Sequence, residues 1–140
     1  MKKLYIILGL ILSCLGTSAQ TLHLYGGKNH DVYLGCLTCS NYDASSIWNS
    51  YGTYGSKYNS DSIWNNYGTY GNKYNSECPW NTYATNPPVV VDKEGNFYGY
   101  FTLNKYQDKR ADFELAIIIY AYYDMIPDDV GKWYDKIFNN

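Results

Sequence analysis

The hydrophobic and polar positions of this chain fall into three patterns, and each pattern predicts a different kind of element. Residues 21–24 and 32–37 are short apolar runs with polar neighbours, which is typical of short β-strands. Between residues 40 and 85, apolar and aromatic residues return with a period of sixteen. Beyond residue 86 the pattern predicts a β-hairpin followed by an apolar tail.

The periodic segment contains one sixteen-residue unit written almost twice. Residues 46–61 read SIWNSYGTYGSKYNSD, and residues 62–77 read SIWNNYGTYGNKYNSE. The two copies differ at only three positions, namely Ser50/Asn66, Ser56/Asn72 and Asp61/Glu77. A third copy begins at Cys78 as CPWNTYAT and breaks off. A repeat of fixed period usually means one small structural unit stacked on itself.

Each unit is expected to fold as tight turns. Ser46 and Ser62 stand where an N-cap hydroxyl would satisfy the first free N–H groups of a short helical turn. Gly52 and Gly68 suit the left-handed position that ends such a turn. Stacking would bring the tryptophans of successive copies into register, namely Trp48, Trp64 and Trp80. Their burial would offset the entropy cost of ordering many glycines, serines and asparagines.

The residues after the repeats predict a hairpin and a short final helix. A strand at 89–91 is followed by a turn with Gly95 at its positive-φ position, and then by a returning strand at 97–103. The apolar residues 112–125 fit a buried helix or a strand, because their periodicity favours neither. Pro127 indicates the start of the final helix.

These elements predict a small α+β fold, or a mainly irregular and β fold, in which stacked sixteen-residue aromatic turns pack with a β-hairpin and a C-terminal helix. The expected organisation is a signal peptide at 1–19, a single domain at 20–106 and a helical C-terminal extension at 107–140. The single domain would contain the repeats at 40–85 and the hairpin at 88–103.

The first nineteen residues have the organisation of a secretory signal peptide. Lys2 and Lys3 form a basic start, residues 4–12 are apolar, and residues 17–19 are the small residues of a cleavage site. The apolar run is too short to span a bilayer. We therefore expect an exported protein, periplasmic or secreted, with lipid anchoring through Cys14 as the alternative.

Charge and hydropathy argue against two classes of function. Without the two lysines of the signal peptide, the chain has nine basic and thirteen acidic side chains, dispersed along its length, and a net charge of −4. The basic block that drives nucleic-acid binding is missing from the sequence. After residue 19 the most apolar stretch, residues 115–126, is too short to cross a membrane and contains Asp124.

The cysteines are the main candidates for covalent or metal chemistry. Cys36 and Cys39 form a Cys-x-x-Cys pair, and Cys78 is the third cysteine after the signal peptide. In an oxidising compartment the pair can be a disulfide, a redox pair or half of a metal site, and a disulfide to Cys78 is also open. Histidine is scarce, with only His23 and His30, and the sequence contains no nucleophile elbow. We assign no catalytic residue, metal site or cofactor.

The tyrosines are the candidates for ligand binding. The chain contains eighteen tyrosines, and eight of them lie between residues 42 and 83, too many for all to be interior. The tryptophans are expected to form the core. A row of exposed tyrosines would form a platform for sugar rings or another ligand that prefers aromatic surfaces. The candidate residues are Tyr51, Tyr54, Tyr58, Tyr67, Tyr70 and Tyr74.

Residues 34–106 resemble a short module of exported bacterial proteins. The motifs that carry the resemblance are LGCLTC at 34–39, the two full repeats, PWNTY at 79–83 and DKEGNFYGY at 92–100. Cys78 stands where the similar sequences tend to have serine. The resemblance implies an exported bacterial protein and implies no particular activity.

The sequence supports two functional hypotheses. The first is a non-enzymatic, exported binding or structural protein of the cell envelope, whose partner is an envelope polysaccharide or a surface protein. The alternative is a thiol-redox or metal-binding protein that uses Cys36 and Cys39.

Overall fold

Four strands, two short helices and one 3₁₀ turn are the regular elements of residues 20–139, the part of the chain that the computed structural model describes. The strands are β1 (His23–Gly26), β2 (Val32–Cys36), β3 (Val89–Val91) and β4 (Phe97–Tyr100). They are followed by α1 (Glu114–Tyr122), the 3₁₀ turn (Ile126–Asp128) and α2 (Val130–Phe138). The fold is small α+β, which confirms the predicted class. The expected signal peptide, residues 1–19, lies outside the described residues.

The strands form one antiparallel sheet in the order β2-β1-β3-β4. Leu24 and Val90 face each other across β1 and β3, and both are fully buried on the face that covers the core. The predicted hairpin is present, and Gly95 has the expected positive φ of 87°. The second hairpin strand ends at Tyr100 and does not reach residue 103, because the chain leaves the sheet there to pack on the repeats.

Each repeat begins with a turn capped by a serine hydroxyl. The Oγ of Ser46 accepts a hydrogen bond from the backbone N–H of Trp48 at 3.0 Å, and Ser62 does the same for Trp64 at 3.1 Å. In the third copy the Sγ of Cys78 takes this place at 3.4 Å. The N-cap expectation for the two serines is confirmed, although the turn does not continue into an α-helix.

The prediction for Gly52 and Gly68 is wrong, because neither residue has a positive φ. The glycines that the repeat requires are Gly55 and Gly71, three residues later. A Cβ at Gly71 would lie 2.0 Å from the carbonyl oxygen of Asn65. The backbone passes over itself within the unit at this point, and only a residue without a side chain allows that approach.

The indole N–H groups of three tryptophans connect successive layers of the stack. Each one donates to a backbone carbonyl of the layer before it: Trp48 to Leu37 at 2.8 Å, Trp64 to Ile47 at 2.7 Å and Trp80 to Ile63 at 2.7 Å. We call these three bonds the tryptophan ladder. The rings are in contact as expected, with centroids 6.1 Å apart for Trp48 and Trp64 and 5.6 Å apart for Trp64 and Trp80. The tryptophans are almost fully buried, so the ladder is the core of the repeats.

The asparagine after each tryptophan stabilises the outer part of its layer. In the second copy, Asn65 donates from Nδ2 to the carbonyl of Asn59 at 3.0 Å and accepts from the N–H of Tyr67 at 3.0 Å. Asn49 and Asn81 make the equivalent bonds. These are bonds to loop backbone, as the sequence predicted.

A fourth layer follows the hairpin, and the repeat pattern does not predict it. Asn104 donates to the carbonyl of Ala84 at 2.9 Å and accepts from the N–H of Tyr106 at 3.0 Å, as the repeat asparagines do. The backbone N–H of Leu103 bonds the carbonyl of Pro79 at 2.8 Å. Pro79 occupies the repeat position of Ile63, so a backbone N–H takes over the role of the indole at this end of the ladder.

The C-terminal residues pack along the tryptophan ladder. Tyr123 stacks on Trp80 with centroids 5.0 Å apart and an interplanar angle of 19°. At the other end, Tyr134 and Phe138 of α2 contact Trp48 at centroid distances of 6.3 and 5.8 Å. The buried residues of the sheet, the repeats and the helices form one hydrophobic cluster. Residues 107–139 therefore contribute to the same core as the repeats.

Replacing Trp64 by phenylalanine should destabilise the fold by about 2–4 kcal/mol. The smaller ring leaves a void beside Trp80, and the buried carbonyl of Ile47 loses its donor. Urea unfolding followed by circular dichroism measures the loss. The matched control is Trp133→Phe on α2, where the half-buried ring should cost less than about 1 kcal/mol. Equal losses from the two variants would contradict the ladder.

Gly71→Ala should lower the free energy of unfolding by about 3 kcal/mol, because its Cβ meets backbone atoms that cannot move independently. Gly68→Ala is the control within the same copy. Its Cβ would first meet the side-chain amide of Asn65, at 3.1 Å, so the loss should be clearly smaller. A larger loss for Gly68→Ala in the same urea titration would show that the close backbone approach does not hold in solution.

Candidate functional site

A cleft of about 630 Å³ is lined by residues of the first and second copies of the repeat, by Trp80 of the third copy and by the segment that joins α1 to α2. Tyr58 and Tyr74 stand on the repeat side, and Asp124 and Asp128 stand on the opposite side. Trp64 and Trp80 also line the cleft. A smaller cleft of about 200 Å³ continues along the first copy, and the two share Lys57, Tyr58, Pro127 and Asp128. We call the continuous depression formed by both the repeat groove.

Local hydrogen bonds orient the tyrosines of the repeat groove. The N–H of Tyr58 donates to the Oγ of Ser56 at 3.2 Å, and the N–H of Tyr74 donates to the Oδ1 of Asn72 at 3.0 Å. Such side-chain turns fix the backbone that carries the ring. The rings themselves project outward, with exposed fractions of 82% and 83%. The rings are therefore accessible to a ligand on a backbone that is held in place.

The ammonium group of a lysine lies over the ring of each of these two tyrosines. The Nζ of Lys57 lies 5.7 Å from the ring centroid of Tyr58, and the Nζ of Lys73 lies 5.5 Å from that of Tyr74. Both distances fit a cation–π contact. Because carboxylates line the other side of the groove, a ligand would meet cations, anions and aromatic faces together.

The structure brings three of the six candidate tyrosines to the repeat groove, namely Tyr58, Tyr67 and Tyr74. Tyr51 is 99% exposed but does not line the groove. Tyr54 and Tyr70 pack against the sheet, where Tyr54 contacts Tyr33 with centroids 5.0 Å apart.

Tyr70 is only 8% exposed, and a Cβ at Gly26 would lie 3.0 Å from its ring. Desolvation raises the pKa of Tyr70 above its usual value, as expected for a phenol in a packed environment. Neither Tyr54 nor Tyr70 presents a free ring face to a ligand in the groove.

The acidic side of the repeat groove was not among the sequence candidates. Asp124, Pro127 and Asp128 lie about forty residues beyond the repeats and belong to the segment around the 3₁₀ turn. They reach the groove because Tyr123 stacks on Trp80 and positions the chain across the ladder. The acidic and aromatic residues of 123–128 are the only feature of the sequence that could mark this segment as part of a site. They do not indicate that the segment lies across the repeats.

Cys36 and Cys39 are joined by a disulfide. Cys36 is the last residue of β2 and is fully buried, whereas Cys39 is half-buried. The short loop that they close contains Leu37, whose carbonyl accepts the first bond of the tryptophan ladder. The disulfide therefore holds the start of the stack. In this oxidised state neither sulfur is a free thiolate that could bind a metal.

The two histidines make hydrogen bonds on the outer side of the sheet. The Nδ1 of His23 lies 2.7 Å from the hydroxyl of Tyr33, and the Nε2 of His30 lies 3.0 Å from the carbonyl of Pro87. Burial lowers the pKa of His23, and the nearby Asp43 acts in the opposite direction. Among residues 20–139 no three or more His, Cys, Asp or Glu side chains are grouped as a metal site would require.

Within the described part of the chain, no helix combines the length and the apolar character that crossing a membrane requires. The longest, α1 and α2, have nine residues each.

Cys78 should be unreactive in the folded protein. Burial raises the pKa of its thiol to about 12, so almost no thiolate forms at pH 8. Reaction with Ellman's reagent at pH 8 should show no Cys78-dependent signal until the protein is unfolded in urea, with Cys78→Ser identifying that signal. Because serine already occupies the matching position 62, the variant should fold. Rapid labelling of the folded protein would contradict the buried position.

The repeat groove and the disulfide are the two features from which function can be argued. No family model, curated protein or solved structure matches the chain.

Proposed function

We propose that the protein is an exported, non-enzymatic binding module of the cell envelope and that its repeat groove binds a linear, neutral polysaccharide. The observation that supports this most directly is the groove itself, which combines outward tyrosine rings with amide, lysine and carboxylate side chains. Sugars present C–H faces that pack on aromatic rings and hydroxyl groups that both donate and accept hydrogen bonds. The groove offers partners for both kinds of surface.

The charges of the groove favour a neutral ligand. Lys57 and Lys73 line the repeat side, and Asp124 and Asp128 line the opposite side. A polyanion would be attracted by the lysines and repelled by the carboxylates, whereas sugar hydroxyls can donate to the carboxylates and accept from the lysines. The net charge of −4 for the chain after residue 19 also disfavours a polyanionic partner.

An exported location fits two features of the chain. Residues 1–19 have the composition of a signal peptide. The disulfide between Cys36 and Cys39 fits an oxidising compartment outside the cytoplasm. A soluble exported form is proposed first, with lipid anchoring through Cys14 as the alternative.

A thiol-redox function of Cys36 and Cys39 is the less favoured proposal. Reactive Cys-x-x-Cys pairs usually lie at a helix N-terminus, which lowers the pKa of the attacking thiol. Here the pair follows β2 and leads into bends and turns. The complete burial of Cys36 also limits attack by a substrate thiolate.

Removing two groove tyrosines should weaken glycan binding. In the Tyr58→Ala/Tyr74→Ala variant, two exposed rings are lost from the groove, and affinity should fall by about 10- to 100-fold at roughly 1 kcal/mol or more per ring. Titration calorimetry with neutral hexasaccharides (cellohexaose, chitohexaose and an N-acetyllactosamine hexasaccharide) measures the change.

The matched control is Tyr42→Ala/Tyr106→Ala. These two rings are 88% and 91% exposed but do not line the groove. The control should retain wild-type affinity. Absence of binding by the wild type to all three hexasaccharides would refute the proposed function, and an equal loss in both double variants would refute the groove as its site.

A further inference from the structure

The two parts of the repeat groove are built from the same positions of the repeat. Five positions of the first copy line the smaller cleft, and the same five positions of the second copy line the larger one. Three of the five are identical in both copies, namely a glycine, a lysine and a tyrosine. Each full copy therefore contributes the same set of five positions to the groove, and we call these two sets the first and second subsites; the larger cleft is in addition lined by Ile63, Trp64 and Tyr67.

Within the five shared positions, the two subsites differ at the remaining two. The first subsite has Ser50 and Ser56, and the second has Asn66 and Asn72. Only three positions differ between the two copies in total. Two of these three lie in the groove, so the difference between the copies is concentrated where a ligand would bind.

The fold does not require this difference. Ser56 and Asn72 make the same structural bond, since each accepts the N–H of the tyrosine two residues later. Ser50 and Asn66 are both exposed. What differs is the remaining hydrogen-bonding capacity, which is one hydroxyl proton for Ser56 and two N–H donors on Nδ2 for Asn72.

The spacing of the layers suits one sugar ring for each subsite. The tryptophans of successive layers have centroid distances of 6.1 Å for the tilted pair Trp48 and Trp64 and 5.6 Å for the stacked pair Trp64 and Trp80. One pyranose ring of an extended glycan advances the chain by a comparable length. Both clefts are lined by lysine and carboxylate side chains. The smaller has Lys57 with Asp128 and Asp129, and the larger has Lys57 and Lys73 with Asp124 and Asp128.

Resting on the proposed glycan-binding function, we infer that the repeat groove distinguishes two successive sugar units of one neutral chain. Asn66 and Asn72 take an N-acetylated amino sugar, because the two carboxamides together can donate to the carbonyl at one end of an acetamido group and accept from the N–H at its other end. Ser50 and Ser56 take a sugar that carries hydroxyl groups only. The ligand is then a glycan in which the two kinds of sugar alternate.

Exchanging the residues of the two copies tests this inference. Calorimetry compares the N-acetyllactosamine hexasaccharide, in which the two kinds alternate, with chitohexaose, which has only acetamido sugars, and cellohexaose, which has none. The wild type should bind the alternating chain most tightly. In Asn66→Ser/Asn72→Ser, the ratio of the affinity for the alternating chain to the affinity for cellohexaose should fall about tenfold, which is the equivalent of one or two hydrogen bonds. Ser50→Asn/Ser56→Asn should shift the preference to chitohexaose.

The chain offers its own control. Asp61→Glu/Glu77→Asp exchanges the third variable position, which does not line the groove, and should leave all three affinities unchanged. Each exchanged residue comes from the equivalent position of the other copy, so unfolding temperatures should match the wild type. If a double variant fails to fold, the exposed single change Asn66→Ser replaces it.

The outcomes separate this inference from the proposed function. If the wild type binds the three hexasaccharides with equal affinity and the exchanges do not change these affinities, the inference of two different subsites is wrong. The proposed glycan binding would then still hold. Binding to none of them would overturn both. A preference for the alternating chain that both exchanges abolish, but the control does not, supports the assignment.

Discussion

This structure depends on providing a hydrogen-bond donor for each backbone carbonyl that is buried between the layers of the repeat. The repeats have no regular helix or sheet of their own, so carbonyl groups that point into the core lack the usual backbone partners. The indole N–H groups of Trp48, Trp64 and Trp80 satisfy these carbonyls, and the same rings fill the space between layers. One side chain thus provides both the hydrogen bond and the apolar burial that hold a layer in place.

The ladder also explains how the stack begins and ends. Its first acceptor is Leu37, inside the loop closed by the disulfide of Cys36 and Cys39. Its last acceptor is Ile63, and the equivalent carbonyl of the next layer, that of Pro79, receives a backbone N–H from Leu103 instead of an indole. Both ends are attached to the sheet, because β2 leads into the disulfide loop and β4 leads to Leu103. The number of layers is therefore limited by the sheet and is not open-ended.

Several features were predictable because the interactions that cause them are local. The serine caps, the hairpin with Gly95 and the asparagine bonds all involve residues a few positions apart, which the sequence pattern can show. The assignment of Gly52 as a left-handed residue failed because the repeat uses a neighbouring glycine for a close backbone approach, and both explanations fit the same spacing. The fourth layer was missed because Leu103 has no indole to mark the pattern.

By itself, the sequence determined the sixteen-residue period, the burial of the tryptophans and the presence of many exposed tyrosines, since these follow from composition and spacing within one unit. Only the tertiary structure decided which tyrosines line the repeat groove. Tyr70 packs under the sheet, whereas Tyr74 faces a groove whose other side is formed by Asp124. That groove exists because an aromatic contact between distant segments, Tyr123 on Trp80, holds the C-terminal residues across the repeats. Periodicity describes neighbours along the chain, and contacts of this kind depend on how separate segments fit together in the core.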